Sequence, residues 1–290
     1  MRIFKIIILF LFLISPKIIF AKPSLDSIKT YANAYFEYKA HDLKKLKKFD
    51  IVVIDPYDVP NKKFVTNLKK SGTIVLAYID IGEAEVWRVY FKNMPKDLII
   101  KENPDWPGNF FANVNDLRWH KIILNEAISY LFQWGNYDGL MLDMLDTVDE
   151  YPELKPGMIS LVKKIHKKYP KLLIVPNRGF VVLPQISKYI DAIKYEEMCS
   201  RYDFDEEKYI YEDDEGEQKV LFKVLKKHKM PVLVLDHLQT HPKNLKMAKR
   251  CFNKAKKMTK KTGAKFLWYG NSIKQDLPIW SFLPYRVGKK

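Results

Sequence analysis

Acidic residues recur at one kind of place in this 290-residue chain, where a short apolar run stops: Asp55, Asp80 with Glu83 and Glu85, Asp143, Glu196 with Glu197, and Asp236. Asn177 and Tyr269 end two further runs. Two carboxyl groups held in different protonation states are the minimum equipment for cleaving a glycosidic bond. One gives a proton to the leaving oxygen; the other, ionised, attacks the anomeric carbon or activates a water. An Asp that follows a strand also commonly caps the next helix, and Asp55 and Asp236 are expected in that scaffold role. Capping does not explain the cluster GEAEVWR at 82–88 or the doubled Glu196-Glu197. Trp87, Trp106, Tyr151, Tyr202 and Tyr269 lie near the same run ends, where an aromatic face can stack on a sugar or simply pack.

Other chemistries fit less well. A serine hydrolase needs a nucleophile on a sharp turn with a histidine partner. There is no G-x-S-x-G, and Ser71, Ser200 and Ser272 have no evident partner. The best metal candidate is Asp236-His237 with His241, but Pro242 argues against a helix carrying both histidines. A loop with surface histidines is the expectation there, with no metal and no other cofactor.

The elements that must position these residues are legible as eight β-rich runs: 31–38, 50–56, 73–82, 139–143, 172–177, 192–196, 231–236 and 264–270. Most are nearly continuous in apolar residues, as parallel strands buried on both faces are. Helical periodicity fills 117–134, 156–169, 217–229 and 242–262. Strand alternating with helix, eight times in this length, predicts a single (β/α)8 TIM barrel. An open dinucleotide-binding sheet should show a Gly-rich turn after its first strand, and none is present. In a barrel the strand C-termini line the active face, so the acids converge on one mouth.

The chain is 47% hydrophobic, enough for one large core, and one domain over 22–290 is expected. Residues 1–21 stand apart. Arg2 and Lys5 precede an apolar run over 6–14, and the segment ends in Ala21. This predicts a signal peptide and a secreted or periplasmic protein; a permanent anchor would need about 20 apolar residues. Net charge is +16, yet the basic residues sit on helical segments such as 44–48, 163–168 and 243–265, as a solvated outer surface does. No nucleic-acid signature accompanies them. An acidic mouth inside a basic ring suits a neutral or cationic substrate. A monomer is expected, and whether Cys199 and Cys251 pair is open.

YIDIGEAEVWRVY (78–90) resembles the Y-x-S-x-G-E-A-E-x-x-R-x-Y motif of the glycoside hydrolase family 114 barrels, the endo-α-1,4-polygalactosaminidases. NPDWPGNFFANVND (103–116) with Trp119, YDGLMLDMLD (137–146) and IDAIKYEEMCSRYDF (190–204) are similar to its later segments. The resemblance runs from about 35 to 269. It implies a (β/α)8 fold, hydrolysis within a galactosamine-containing polysaccharide, and catalytic acids on the fourth and sixth strands. Carried over by motif, these are Asp143, five residues after Asp138, and Glu196, five after Asp191. Asp80 stands at the motif's Ser, and Asp146 and Glu197 compete for the two catalytic positions. Glu83, Glu85 and Arg88 are expected to orient substrate or tune the pair, with Arg88 equally suited to be a buried partner of either Glu. Tyr78, Asp80, Asn177, Glu197 and Tyr269 are expected to line subsites. The competing reading is a carbohydrate-binding barrel that does not cleave.

Overall fold

The computed structural model describes residues 22–34, 42–211, 214–238 and 245–273. Parallel strands form within all eight apolar runs: β1 (Tyr31–Ala34), β2 (Ile51–Ile54), β3 (Ile74–Asp80), β4 (Gly139–Asp143), β5 (Leu173–Pro176), β6 (Ile193–Glu196), β7 (Val232–His237) and β8 (Phe266–Asn271). β1 to β5 hydrogen-bond in sequence order as one sheet, and β6, β7 and β8 form a second. A parallel bridge between Asn177 and Lys194 links β5 to β6. β8 meets β1 through side chains, the Tyr269 ring lying 5.6 Å from that of Tyr31. Nearly every strand residue is buried, which accounts for runs that lack the alternation of a half-wet sheet.

The helices between strands are α1 (Asp42–Leu46), α2 (Lys62–Lys70), α3 (Leu117–Lys121), α4 (Ile128–Trp134), α5 (Lys155–Lys168), α6 (Leu183–Ile186), α7 (Glu215–Lys227) and α8 (Leu245–Thr262), with one further helical turn at Thr147–Glu150. A π-helical stretch, Ile122–Ala127, joins α3 to α4. Helix starts are set by side-chain caps: Asn61 accepts from Phe64 N at 3.2 Å and Asp214 from Glu217 N at 2.9 Å. Two excursions were not legible as apolar runs. A three-stranded antiparallel sheet (Glu83–Glu85, Ile99–Glu102, Asn109–Ala112) follows β3, and a hairpin (Ser200–Asp203, Lys208–Tyr211) follows β6. Both leave from strand C-termini and wall the same end of the fold.

At the opposite end, three aspartates seat the strands. Asp50 accepts from Lys29 N and Thr30 N at 2.8 and 2.9 Å, Asp138 from Val75 N at 2.9 Å, and Asp191 from Ile174 N at 2.8 Å. Each precedes an even-numbered strand and holds the strand before it. A disulfide joins Cys199 to Cys251, with Cα atoms 5.4 Å apart, so the segment after β6 is tied to α8. Among the described residues no helix is long and apolar enough to cross a membrane. The predicted signal peptide lies outside them.

Candidate functional site

The strand C-termini and the two excursions enclose a cleft of about 780 Å³. Of the residues predicted for the site, Tyr78, Asp80, Glu85, Asp143, Asn177, Glu196 and Glu197 line it. Glu83, Arg88 and Tyr269 do not.

Asp143 ends β4, Asn177 follows β5 and Glu196 ends β6, so three adjacent strands present their last side chains together. The Asn177 amide nitrogen donates to Asp143 Oδ1 at 2.8 Å and to Glu196 Oε2 at 2.7 Å. Those two oxygens are therefore no more than about 5.5 Å apart. Two acceptors also fix the amide's orientation, because turning it over would set its oxygen against both carboxylates.

Glu196 is clamped on both oxygens. Lys194, two residues earlier and hence on the same face of β6, is fully buried and donates to Oε2 at 2.6 Å. His237, the last residue of β7, meets Oε1 at 2.8 Å through Nε2. Burial would raise the Glu196 pKa, but the lysine charge and the histidine bond overturn it and hold the carboxyl well below its usual range. Burial, opposed by Lys194 and reinforced by the Glu196 charge, raises Asp143. The two acids are pushed apart, with Glu196 the one that keeps its charge.

Beside the pair, Asp80 shapes the turn that leaves β3, accepting from Gly82 N at 2.9 Å and Glu83 N at 2.7 Å. Burial and the nearby acids raise its pKa strongly. A Cβ on Gly82 would lie 2.0 Å from Met144 O, so only glycine lets this turn press against the segment after Asp143. Glu83, expected near substrate, is buried behind the cleft. It accepts from Asn103 at 2.7 Å and Asn109 at 3.1 Å, and burial lifts its pKa to about 7. Arg88 proves to be a buried partner: it pairs with Glu85 at 2.6 Å and with Asp55 at 2.9 Å, and its guanidinium lies 4.3 Å over the Tyr57 ring. Asp55 also caps the turn at Tyr57 N, the scaffold role expected of it. Asp236 is scaffold too, accepting from Cys199 N, Ser200 N and Trp268 Nε1.

Three site residues are followed by a non-glycine residue with left-handed backbone: Met144 at φ 57°, Arg178 at 51° and Glu197 at 62°. Such residues turn the chain sharply at a strand's end and are costly unless their surroundings enforce them. Arg178 supplies part of that enforcement, donating to Asp146 at 3.0 Å, to Glu217 at 2.6 Å and to the Glu196 carbonyl at 3.1 Å. Asp146 is thereby held in an ion pair, and Glu197 leaves the strand, while the Asn177 amide joins Asp143 to Glu196. Among the aromatics, Trp87 and Trp106 line the cleft, and Phe204 faces Trp106 at 5.7 Å. Tyr151 packs on Phe111 and Tyr202 on Phe204. Tyr269, expected at the rim, is buried against Tyr31 and Phe49 because its side chain points inward from β8.

Comparison with known proteins decides the family. The model of glycoside-hydrolase family GH114 matches residues 21–276. The chain belongs to this family. An uncharacterized protein of Deinococcus radiodurans is 27% identical over 194 residues, 61% of this chain and 62% of that protein. The chain spans less than two-thirds of the length of the curated relatives it matches. Among solved structures, the glycoside hydrolase domain of PelA from Pseudomonas aeruginosa has a TM-score of 0.72 at 21% identity, covering 87% of this chain and 98% of that one. Ega3 of Aspergillus fumigatus, in complex with galactosamine, has a TM-score of 0.66 at 15% identity, covering 88% and 94%. At these identities the structures show a shared fold. The family is the one the sequence motifs resemble.

Sequence reasoning missed Lys194 and misplaced His237. Lys194 carried a signal, since a lysine inside an apolar strand, two residues from an acid, must share that acid's face. His237 was read as a surface loop residue but is the buried end of β7. Its metal-site companion His241 lies outside the described residues.

Proposed function

We propose that this GH114 chain is an exported glycosidase cleaving within α-1,4-linked, galactosamine-containing polysaccharide, with Asp143 and Glu196 as its catalytic pair. The observation that carries the reading is the Asn177 amide held between both carboxyls. One nitrogen bonded to both keeps them closer than an inverting enzyme needs, since an interposed water requires about 6.5–9.5 Å. Retention follows: one carboxyl attacks the anomeric carbon while the other protonates the leaving oxygen, then activates the water that releases the sugar. The substrate class is supported by charge. Asp58, Asp105, Glu150 and Glu197 surround the pair in the cleft, a field that draws in the ammonium groups of unacetylated amino sugars. Trp87 and Trp106 offer faces for the sugar rings. The Tyr31–Tyr269 contact and the Asn177–Lys194 bridge support closure of the eight strands into one barrel. The disulfide suits an oxidising compartment outside the cytosol.

The test is release of reducing ends from de-N-acetylated galactosaminan by the purified protein. Release by the wild type, abolished by Asp143→Asn and by Glu196→Gln in folded variants, is expected. Binding without release, unchanged by either substitution, would instead make the chain a carbohydrate-binding barrel.

A further inference from the structure

The acidic cleft belongs to a chain of net charge +16, and the fold fixes where the cations gather. Each helix lying between two parallel strands ends where the next strand starts, opposite the cleft. The last turns of α1, α2, α5, α7 and α8 are all basic. The loops that follow add Lys47, Lys171, Lys229 and Lys265. A helix C-terminus favours a cation in its own last turn, but that does not call for the lysines beyond it. Of the aspartates at this end, Asp50, Asp138 and Asp191 accept strand N–H groups, Lys69 and Lys22 pair with the latter two, and Asp26 is exposed and accepts from Ser24. The exposed large apolar side chains of the described residues, Trp87, Trp106 and Phe204 among them, lie in segments at the cleft end. The opposite end is therefore broad, basic and without apolar prongs.

We propose that this basic end docks on the anionic headgroups of a lipid bilayer and leaves the cleft facing away from it. Cations drawn from five helices cover a whole end of the fold, which matches a plane better than the single strand of a polymer. The described residues also begin at this end, where Lys22 pairs with Asp191 at 2.7 Å and Lys265 bonds the Asp26 carbonyl. Each lysine near an anionic surface adds to the attraction, which salt screens within a Debye length. The contact is reversible and independent of the chemistry in the cleft.

The experiment is sedimentation of the full chain with vesicles of equimolar phosphatidylcholine and phosphatidylglycerol, against phosphatidylcholine alone. Binding to the anionic vesicles, reversed by salt, is expected. Replacing Lys47, Lys70, Lys167, Lys227 and Lys261 by Gln should weaken it by at least about tenfold. The same change at Lys62, Lys63, Lys92, Lys101 and Lys208, an equal loss of charge at the cleft end, should leave it near wild type. Equal losses from both sets, equal binding to neutral vesicles, or tighter binding per charge to linear polyglutamate would each overturn the proposal.

Discussion

The same strands carry acids at both ends, and the two sets have opposite fates. Asp50, Asp138 and Asp191 begin β2, β4 and β6; Asp55, Asp143 and Glu196 follow each of them by five residues at the cleft end. The starting set accepts backbone N–H groups and fixes how neighbouring strands align. The finishing set takes backbone donors only from its own next residues, Asp55 from Tyr57 N and Asp143 from Met144 N, and reaches distant parts of the chain through side chains. Asp55 goes to Arg88, while Asp143 and Glu196 share one amide and are shifted in opposite directions. Residue type is common to both ends, so the surroundings decide. A carboxylate that bonds the backbone of the neighbouring strand serves the fold, and one that reaches distant segments only through their side chains is open to tuning.

Substitutions can break this contrast in both directions. The largest effect belongs to Asp143→Asn, expected to lower kcat by about 10²–10⁴-fold, as loss of an acid–base group does. Its melting temperature should hold or rise, because a buried acid with a raised pKa is removed. Lys194→Met comes next, uncovering Glu196 at a cost of about 3–5 kcal/mol near neutral pH. The sign follows from the lowered Glu196 pKa: its stabilisation is fully present above the ordinary value of 4.5 and fades as pH falls through the lower folded value. Urea melts should therefore show the wild-type advantage shrinking on acidification; an advantage that grows would contradict the clamp. Asp138→Ala should cost about 1–3 kcal/mol of stability through the stranded Val75 N–H, with kcat unchanged. A fall in kcat matching that of Asp143→Asn would erase the distinction between the two ends. Trp106→Ala is the mildest, raising KM on the polymer by about 2–12-fold, the worth of one stacking contact.

The strand pattern was legible because burial on both faces leaves runs such as IVVI and GLMLD with no polar interruption. The catalytic candidates were legible because they interrupt such runs at a fixed distance from an aspartate. The excursions were not, since Glu83–Glu85 is short, acidic and buried by contacts distant in sequence. Tyr269 was misassigned, and Arg88 was left between two roles, for a related reason. Proximity to the rim does not say which way a side chain turns, and Asp55, the partner that holds Arg88, lies 33 residues away. His237 could be placed only by the pairing of β6 with β7, which no single segment encodes, whereas Lys194 needed only the alternation of its own strand.

The distance between the two carboxyls is the claim that everything in the cleft depends on, and the stereochemistry of the first product reads it directly. Proton NMR of the anomeric signal during early turnover on α-linked, de-N-acetylated galactosaminan should show the α-anomer first, with the β-anomer growing in only by mutarotation. A β-anomer at the outset would place a water between Asp143 and Glu196 and contradict the arrangement described.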